Sequence, residues 1–286
     1  TLNTTATMKS LRYTLSALLL SFILLCSCDT PTDIKVISYN IRLGTGKDGD
    51  NSWEHRKHAS INMIRTEQPT VVGLQEALAF QLEYLLDSLP NYEMIGVGRD
   101  DGIARGEHMA ILYRSDEVEL LQWGTFWLSD TPEAPSFGWD AACRRTCTWA
   151  KFRHRTTGAY FAHLNTHLDH KGAVAQSEGL RLIAEQIHKL IPARMPLFLT
   201  GDLNITPDNK ALKVLENTLL DARTVATDSD TRNTYNGWGN KERSKLIDYI
   251  FLRGAEATTF RVLCDENYGA PYISDHYPIA LSATIK

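Results

Sequence analysis

Cysteine is scarce in this chain. Of five in 286 residues, Cys26 and Cys28 lie near the start, and only Cys143, Cys147 and Cys264 follow. Three cysteines make neither a paired disulfide framework nor, without a His-rich partner set, a zinc site. A Cys143–Cys147 bridge stays open, with buried thiols the favoured reading. Dense runs of Lys and Arg are also missing, and the formal net charge is −4. Proteins that grip nucleic acid through its phosphates usually carry a basic surplus, so the charge argues weakly against a general nuclease. No linker rich in Pro, Gly or Ser divides the chain, no short repeat appears, and no apolar run reaches the ~20 residues that cross a bilayer.

What the chain does have begins with an address. Met8 is followed by Lys9 and Arg12, then by the apolar run Leu15–Leu25 and Cys26-Ser27-Cys28. A basic start, a short apolar segment and small residues before a cut make a secretory signal. Leu25-Cys26-Ser27-Cys28 resembles a bacterial lipobox with Cys28 as the lipidated residue, the alternative being an ordinary signal peptide. Residues 1–7 are set aside from the fold. Residues 1–28 are thus expected to be a leader and 29–286 a single domain, exported and anchored to a membrane through Cys28.

From Asp33 onward, strand-like and helix-like stretches alternate. Strands are predicted at 34–40, 71–74, 94–97, 109–113, 118–123, 146–152, 160–166, 196–200, 245–252, 260–263 and 279–285. Helices are predicted at 53–65, with Ser52 as N-cap, at about 77–86, and at 173–190. Many strands with a few covering helices imply an α/β sandwich of two sheets packed face to face, with helices outside.

The polar residues that stand out cluster at strand ends, where α/β proteins place their sites. Asn40 ends the first strand, Glu76 follows the second, and His167 closes the strand 160–166. Gly201-Asp202-Leu203-Asn204 follows 196–200, Asp248 interrupts the apolar Leu246–Ile250, and Ser274-Asp275-His276 precedes the last strand. Taken singly, Asn40, Asp202 and Asn204 read as turn residues, and a lone His167 or His276 as structural. Asp248 is harder to dismiss, because a buried carboxylate needs a partner.

As an ordered set, Tyr39-Asn40, Gln75-Glu76, Asn165-Thr166-His167, Gly201-Asp202-Leu203-Asn204, Ile247-Asp248-Tyr249 and Ser274-Asp275-His276 resemble the endonuclease/exonuclease/phosphatase superfamily. That group includes deoxyribonuclease I, neutral sphingomyelinases and inositol polyphosphate 5-phosphatases. The resemblance spans about residues 34–285 and implies a four-layer α/β/β/α sandwich and Mg²⁺-dependent hydrolysis of phosphate esters, with Mn²⁺ as a substitute. On that pattern Glu76 is a hard-oxygen metal ligand, Asn40 assists as a neutral oxygen ligand or through a water, and Asp275 serves the metal side. Asp202 orients and deprotonates the attacking water, Asn204 fixes the same group, and His167 holds the phosphate. His276 contacts a phosphoryl oxygen while Asp248 accepts its other N–H.

Outside these motifs, Arg145 suits bidentate phosphate binding, and Glu107 and Asp169 are acceptors for sugar or inositol hydroxyls or for a second metal. Trp127 and Trp139 either stack on a base or a sugar or merely pack. The expected partner is a small or lipid phosphate ester, with no protein partner. A secreted nuclease and a non-catalytic binding module on the same fold are the competing functions. The intact set from Asn40 to His276 speaks against the second.

Overall fold

The structure is a computed structural model and describes residues 30–264 and 268–286. The expected leader, residues 1–28 with Cys28, lies outside the described residues. Strands β1 (Thr32–Asn40), β2 (Val71–Gln75), β3 (Tyr92–Ile95) and β4 (Ile111–Arg114) join β10 (Asp228–Ser229), β12 (Ala255–Val262) and β13 (Ile279–Ile285) in a seven-stranded sheet of order β10-β12-β13-β1-β2-β4-β3. The second sheet has the order β5-β6-β7-β8-β11-β9, from β5 (Val118–Trp127), β6 (Thr146–His154), β7 (Tyr160–His167), β8 (Leu197–Asp202), β9 (Leu220–Asp221) and β11 (Asp248–Arg253). Helices α1 (Trp53–Glu67) and α2 (Ala79–Ser88) cover the first sheet, and α3 (Ala173–Leu190) covers the second.

Three apolar layers hold this stack together, which is the signature of four layers of secondary structure. Between the sheets lie Val36, Val71, Phe152, Phe161, Phe198 and Leu281. Met63, Ile64, Leu82 and Leu85 seal α1 and α2 onto the first sheet. Leu180, Ile183 and Ile187 seal α3 onto the second. The central strands are buried on both faces, which is why 71–74 is an unbroken apolar run.

Several boundaries depart from expectation for local reasons. Ser52 does occupy the N-cap of α1, but its hydroxyl lies 3.3 Å from His55 Nδ1 and makes no cap bond. Helix α3 is capped from a distance, with Asp140 accepting the N–H of Ala175 at 2.7 Å. Strand β5 runs on to Trp127 because its ladder with β6 continues to Trp127 opposite Thr146. Strand β11 starts only at Asp248, since Lys245 bridges to Tyr235 instead. The very short α4 (Lys213–Glu216), α5 (Ala222–Val225), β9 and β10 have no readable periodicity. Cys143, Cys147 and Cys264 are thiols and not a Cys143–Cys147 bridge, but only Cys147 is buried as expected, the other two being partly exposed.

Just beneath one end of the sandwich the two sheets are pinned by polar side chains. Gln75 Nε2 donates to Asn165 Oδ1 at 2.7 Å, and Thr200 Oγ1 donates to the same oxygen at 3.0 Å. Asn165 Nδ2 donates to the carbonyls of Leu74 and Ala110 at 2.7 and 2.9 Å. Position 73 must be glycine for this approach: a Cβ there would lie 2.1 Å from Thr200 Oγ1 and 2.5 Å from Asn165 Oδ1.

Candidate active site

Register carries the site residues to that same end. In the second sheet Asp202 stands opposite His167 on one side and Asp248 on the other. In the first sheet Asn40 ends β1 beside Gln75, and Glu76 follows at once. Packing β1 against β8 then brings Asn40 and Asp202 together, and the Ser274–His276 turn enters β13 alongside, tied by Ser274 Oγ donating to the Asn40 carbonyl at 2.6 Å.

At the centre, His276 Nδ1 is 2.8 Å from Asp248 Oδ2, and its Nε2 lies 3.6 Å from Asp202 Oδ2. Asn40 Nδ2 donates to Asp202 Oδ2 and to Glu76 Oε1, both at 3.0 Å. Burial opposes charge on His276, but Asp248 and then Asp202 outweigh it and raise its pKa to about 10, so the ring is an imidazolium. Burial first, and the Asp248 charge second, push Asp202 upward from the ordinary carboxylate range, the environment of a general base. His167 is driven the other way by burial, Arg145 and Arg99, and stays neutral. Asn204 Nδ2 faces His167 Nε2 at 3.0 Å and donates to the Leu168 carbonyl at 3.1 Å, while its own N–H donates to Asp202 Oδ1 at 2.9 Å. Asn204 (φ 53°) and Glu76 (φ 63°) both hold left-handed backbone, the kind of strain that collects at working sites.

The metal side differs in one respect from expectation. Asn40 presents its amide nitrogen to the carboxylates, because its Oδ1 already accepts the Arg42 N–H at 3.0 Å. In this arrangement it organises carboxylates and is not an oxygen ligand. Glu76 stays ionised: burial works against it, but the Asn40 hydrogen bond, His276 and the Leu43 N–H hold its pKa down. Ligand atoms of Glu76, His167 and Asp202 lie within 4.8 Å of one another.

A cleft of about 660 Å³ opens over this centre. Arg145, Arg99, Glu107, His170 and Cys143 line it together with Glu76, Asp202, Asp275 and His276, and Tyr235, Arg243 and Lys245 add to the wall. Arg145 Nη2 donates to His170 Nδ1 at 3.1 Å, and Arg99 Nη1 donates to Glu107 Oε2 at 2.7 Å. Burial raises the pKa of Glu107 against the pull of Arg99.

Asp169 corrects the expectation of a substrate acceptor. Its Oδ1 accepts the N–H groups of Lys171 (2.9 Å) and Gly172 (2.8 Å), and its Oδ2 accepts those of Ala142 (3.0 Å) and Cys143 (3.2 Å). With Arg145 Nε a further 3.5 Å from Oδ2, no lone pair is left for a hydroxyl or a metal, although Cys143, Asp169 and His170 offer ligand atoms within 4.8 Å. Trp127 takes the packing alternative: it is buried, and its indole N–H donates to the Arg99 carbonyl at 2.8 Å.

Two contributors carried no sequence signal. Tyr235 sets its ring edge-on to His276 at 5.0 Å. Arg56, buried on an amphipathic helix, donates to the carbonyls of Ile41 (2.5 Å) and Arg42 (2.9 Å) and braces the Asn40 loop from behind.

An imidazolium–carboxylate pair, a second buried carboxylate beside it and a cleft walled by both acidic and basic side chains meet at one end of a two-sheet sandwich, an arrangement suited to hydrolysis of phosphate esters. The chain belongs to the Endonuclease/Exonuclease/phosphatase family, whose sequence pattern matches residues 37–276. It is similar to an endonuclease/exonuclease/phosphatase from Bacteroides vulgatus, at 33% identity and TM-score 0.85 over 89% of this chain and 100% of that one. It is also similar to a mannosyl-6-phosphatase from Bacteroides thetaiotaomicron, at 32% identity and TM-score 0.82 over 87% of this chain and 99% of that one. The human nocturnin catalytic domain, at 17% identity and TM-score 0.69 over 88% and 94%, shares the fold.

Proposed function

We propose that this protein is a divalent-metal-dependent hydrolase of a small phosphate ester, with a hydroxylated, sugar-like alcohol as leaving group, acting outside the cytoplasm. The observation that carries the reading is Asp202, a buried carboxylate held between the His276–Asp248 pair and the Asn40–Glu76 pair. Ionised Asp202 accepts the proton of the attacking water, and Asn204 and Asn40 keep its carboxylate aimed. Charged His276 donates from Nε2 to a phosphoryl oxygen, and Asp248 at its Nδ1 fixes the ring's orientation and stabilises its charge. Arg145, steered by Asp169 and His170, offers a second cation to the phosphate.

The residues fit a hard cation. Glu76, His167 and Asp202 bring ligand atoms within 4.8 Å of one another, and Asp275 lines the same cleft, pushed above the usual range by burial and by Glu76 despite His276. Mg²⁺ or Mn²⁺ held by Glu76 with Asp275 would supply charge neutralisation at the phosphate and leaving oxygen. The mixed walls, with Glu107 and His170 beside Arg145, favour a compact polar alcohol over a nucleic-acid strand, and the likeness to a mannosyl-6-phosphatase supports the same class. The resemblance of residues 8–28 to an export signal supports action outside the cytoplasm.

The test is a panel of sugar phosphates including mannose 6-phosphate, inositol phosphates, sphingomyelin, a chromogenic phosphodiester, plasmid DNA and RNA, each with Mg²⁺ and with EDTA. Turnover of sugar or inositol phosphates that EDTA stops and Mg²⁺ or Mn²⁺ restores is expected. Cleavage confined to DNA or RNA would replace this reading with the nuclease one, and full turnover in EDTA would remove the metal.

A further inference from the structure

We infer that Arg42 is a built-in counter-ion of the metal-side carboxylates, steadying Glu76 and Asp275 when no cation is bound and weakening the grip on one when it arrives. The inference rests on the metal reading above.

Arg42 is held rigidly. Its Nε and Nη2 donate to the two oxygens of Asp48 at 3.0 and 2.9 Å, a bidentate fork that fixes the guanidinium plane. Its backbone is locked in the left-handed region at φ 59°. Its N–H donates to Asn40 Oδ1, and its carbonyl accepts from Arg56 Nη2 and Gln81 Nε2 (2.9 and 3.1 Å). Gly46 gives the Asp48 fork its room, since a Cβ there would lie 2.4 Å from Asp48 Oδ2.

The third nitrogen, Nη1, is the one that matters. It stands 4.0 Å from Glu76 Oε2 and 3.8 Å from Asp275 Oδ2, inside ion-pair range but beyond a good hydrogen bond. A cation fixed at that distance attracts both carboxylates through space and leaves their lone pairs unfilled. It therefore keeps the two ligands oriented without occupying the place of an ion. Because Asp48 prevents Arg42 from swinging aside, the same positive charge remains beside any divalent ion that binds, and it must repel that ion. A site of this design releases its metal more readily than its carboxylate count implies.

The experiment is calorimetric titration of Mn²⁺ and of Mg²⁺ into the full chain after EDTA stripping and dialysis, with thermal melts at each metal concentration. Arg42→Met keeps the length of the side chain and removes the charge, and Arg42→Lys keeps the charge. For Arg42→Met, a Kd about tenfold lower than wild type is expected, with a lower melting midpoint in the absence of metal and a larger rise on adding it. Arg42→Lys keeps the charge but loses the fork to Asp48, and should tighten binding clearly less than Arg42→Met. Binding by wild type with an unchanged or weaker Kd in Arg42→Met overturns the inference alone, as does equal tightening in Arg42→Lys. Neither heat nor a melting shift in wild type would overturn the metal reading and the inference with it.

Discussion

Asp169 lies just past β7 and Asp202 is the last residue of β8, both in the second sheet, and each is 1% exposed. Their surroundings could hardly differ more. Burial favours the neutral form of Asp169, but the N–H groups of Gly172, Lys171 and Ala142, followed by Arg145, outweigh it and hold the pKa at about 2. Asp202 receives a single backbone N–H and the Asn40 amide, and it faces the Asp248 charge, so burial wins and its pKa rises. One carboxylate is spent on holding the loop 140–145 against the start of α3, while the other is kept short of donors and thus reactive. Asp202 also lies deeper in the protein, so depth and the number of donors facing each oxygen together separate structure from chemistry here.

The largest effect is expected from removing the reactive member. Asp202→Asn should lower kcat/KM by about 10³-fold, the range of a lost general base. Its melting midpoint should hold or rise, because an aspartate with a raised pKa is ionised at a cost to the fold. Loss of activity together with loss of folded structure would count against this division of roles. The wild-type acid limb follows the same logic. The base must be ionised, so activity should fall as pH drops through a midpoint above the ordinary carboxylate range. A limb near pH 4, the unperturbed value, would place the essential base elsewhere.

Asp169→Asn reverses the pattern. At pH 7 it strands backbone donors, so unfolding by urea should be easier by about 1–3 kcal/mol. Activity should fall by only about tenfold, through a less steady Arg145. The sign with pH is fixed: a depressed pKa contributes stability that is complete above the unfolded value of about 4 and is lost as pH falls through the folded value. Urea midpoints of wild type and variant should therefore converge between about pH 4 and pH 2. A constant gap would mean that the carboxylate charge is not what the loop uses.

The same contrast explains what could be read in advance. Asn40, Glu76, Asp202, Asp248 and His276 were legible because each ends or interrupts an apolar strand, and their order along the chain is specific. The two-sheet sandwich was legible from strand-dense, doubly apolar segments such as 71–74. Asp169 was misread because its type and position mimic Asp202, and only the backbone folding around it reveals four donors. The Asn40 amide orientation depends on the Arg42 N–H, and the Arg42–Asp48 fork depends on the left-handed turn at Arg42. Neither is a property of residue type. Arg56 looks like any exposed helix arginine until Ile41 and Arg42 supply their carbonyls.

The smallest effect tests whether the reactive side depends on sheet spacing in a way the structural loop does not. Thr200 lies two residues before Asp202 on β8, and Gly73 packs directly against its hydroxyl. Gly73→Ala places a methyl group where the two side chains already touch, so the sheets must part locally or the Gln75–Asn165–Thr200 hydrogen bonds must break, at a cost of about 1–3 kcal/mol. Parting moves Asp202 relative to Asn40, across the sheet boundary, but leaves the Arg145–Asp169 contact within one sheet and its loops. The expected result is a kcat lower by about threefold with KM unchanged. A raised KM with normal kcat would show instead that the strain reaches the Arg145 wall, and that the two aspartates share one mechanical support.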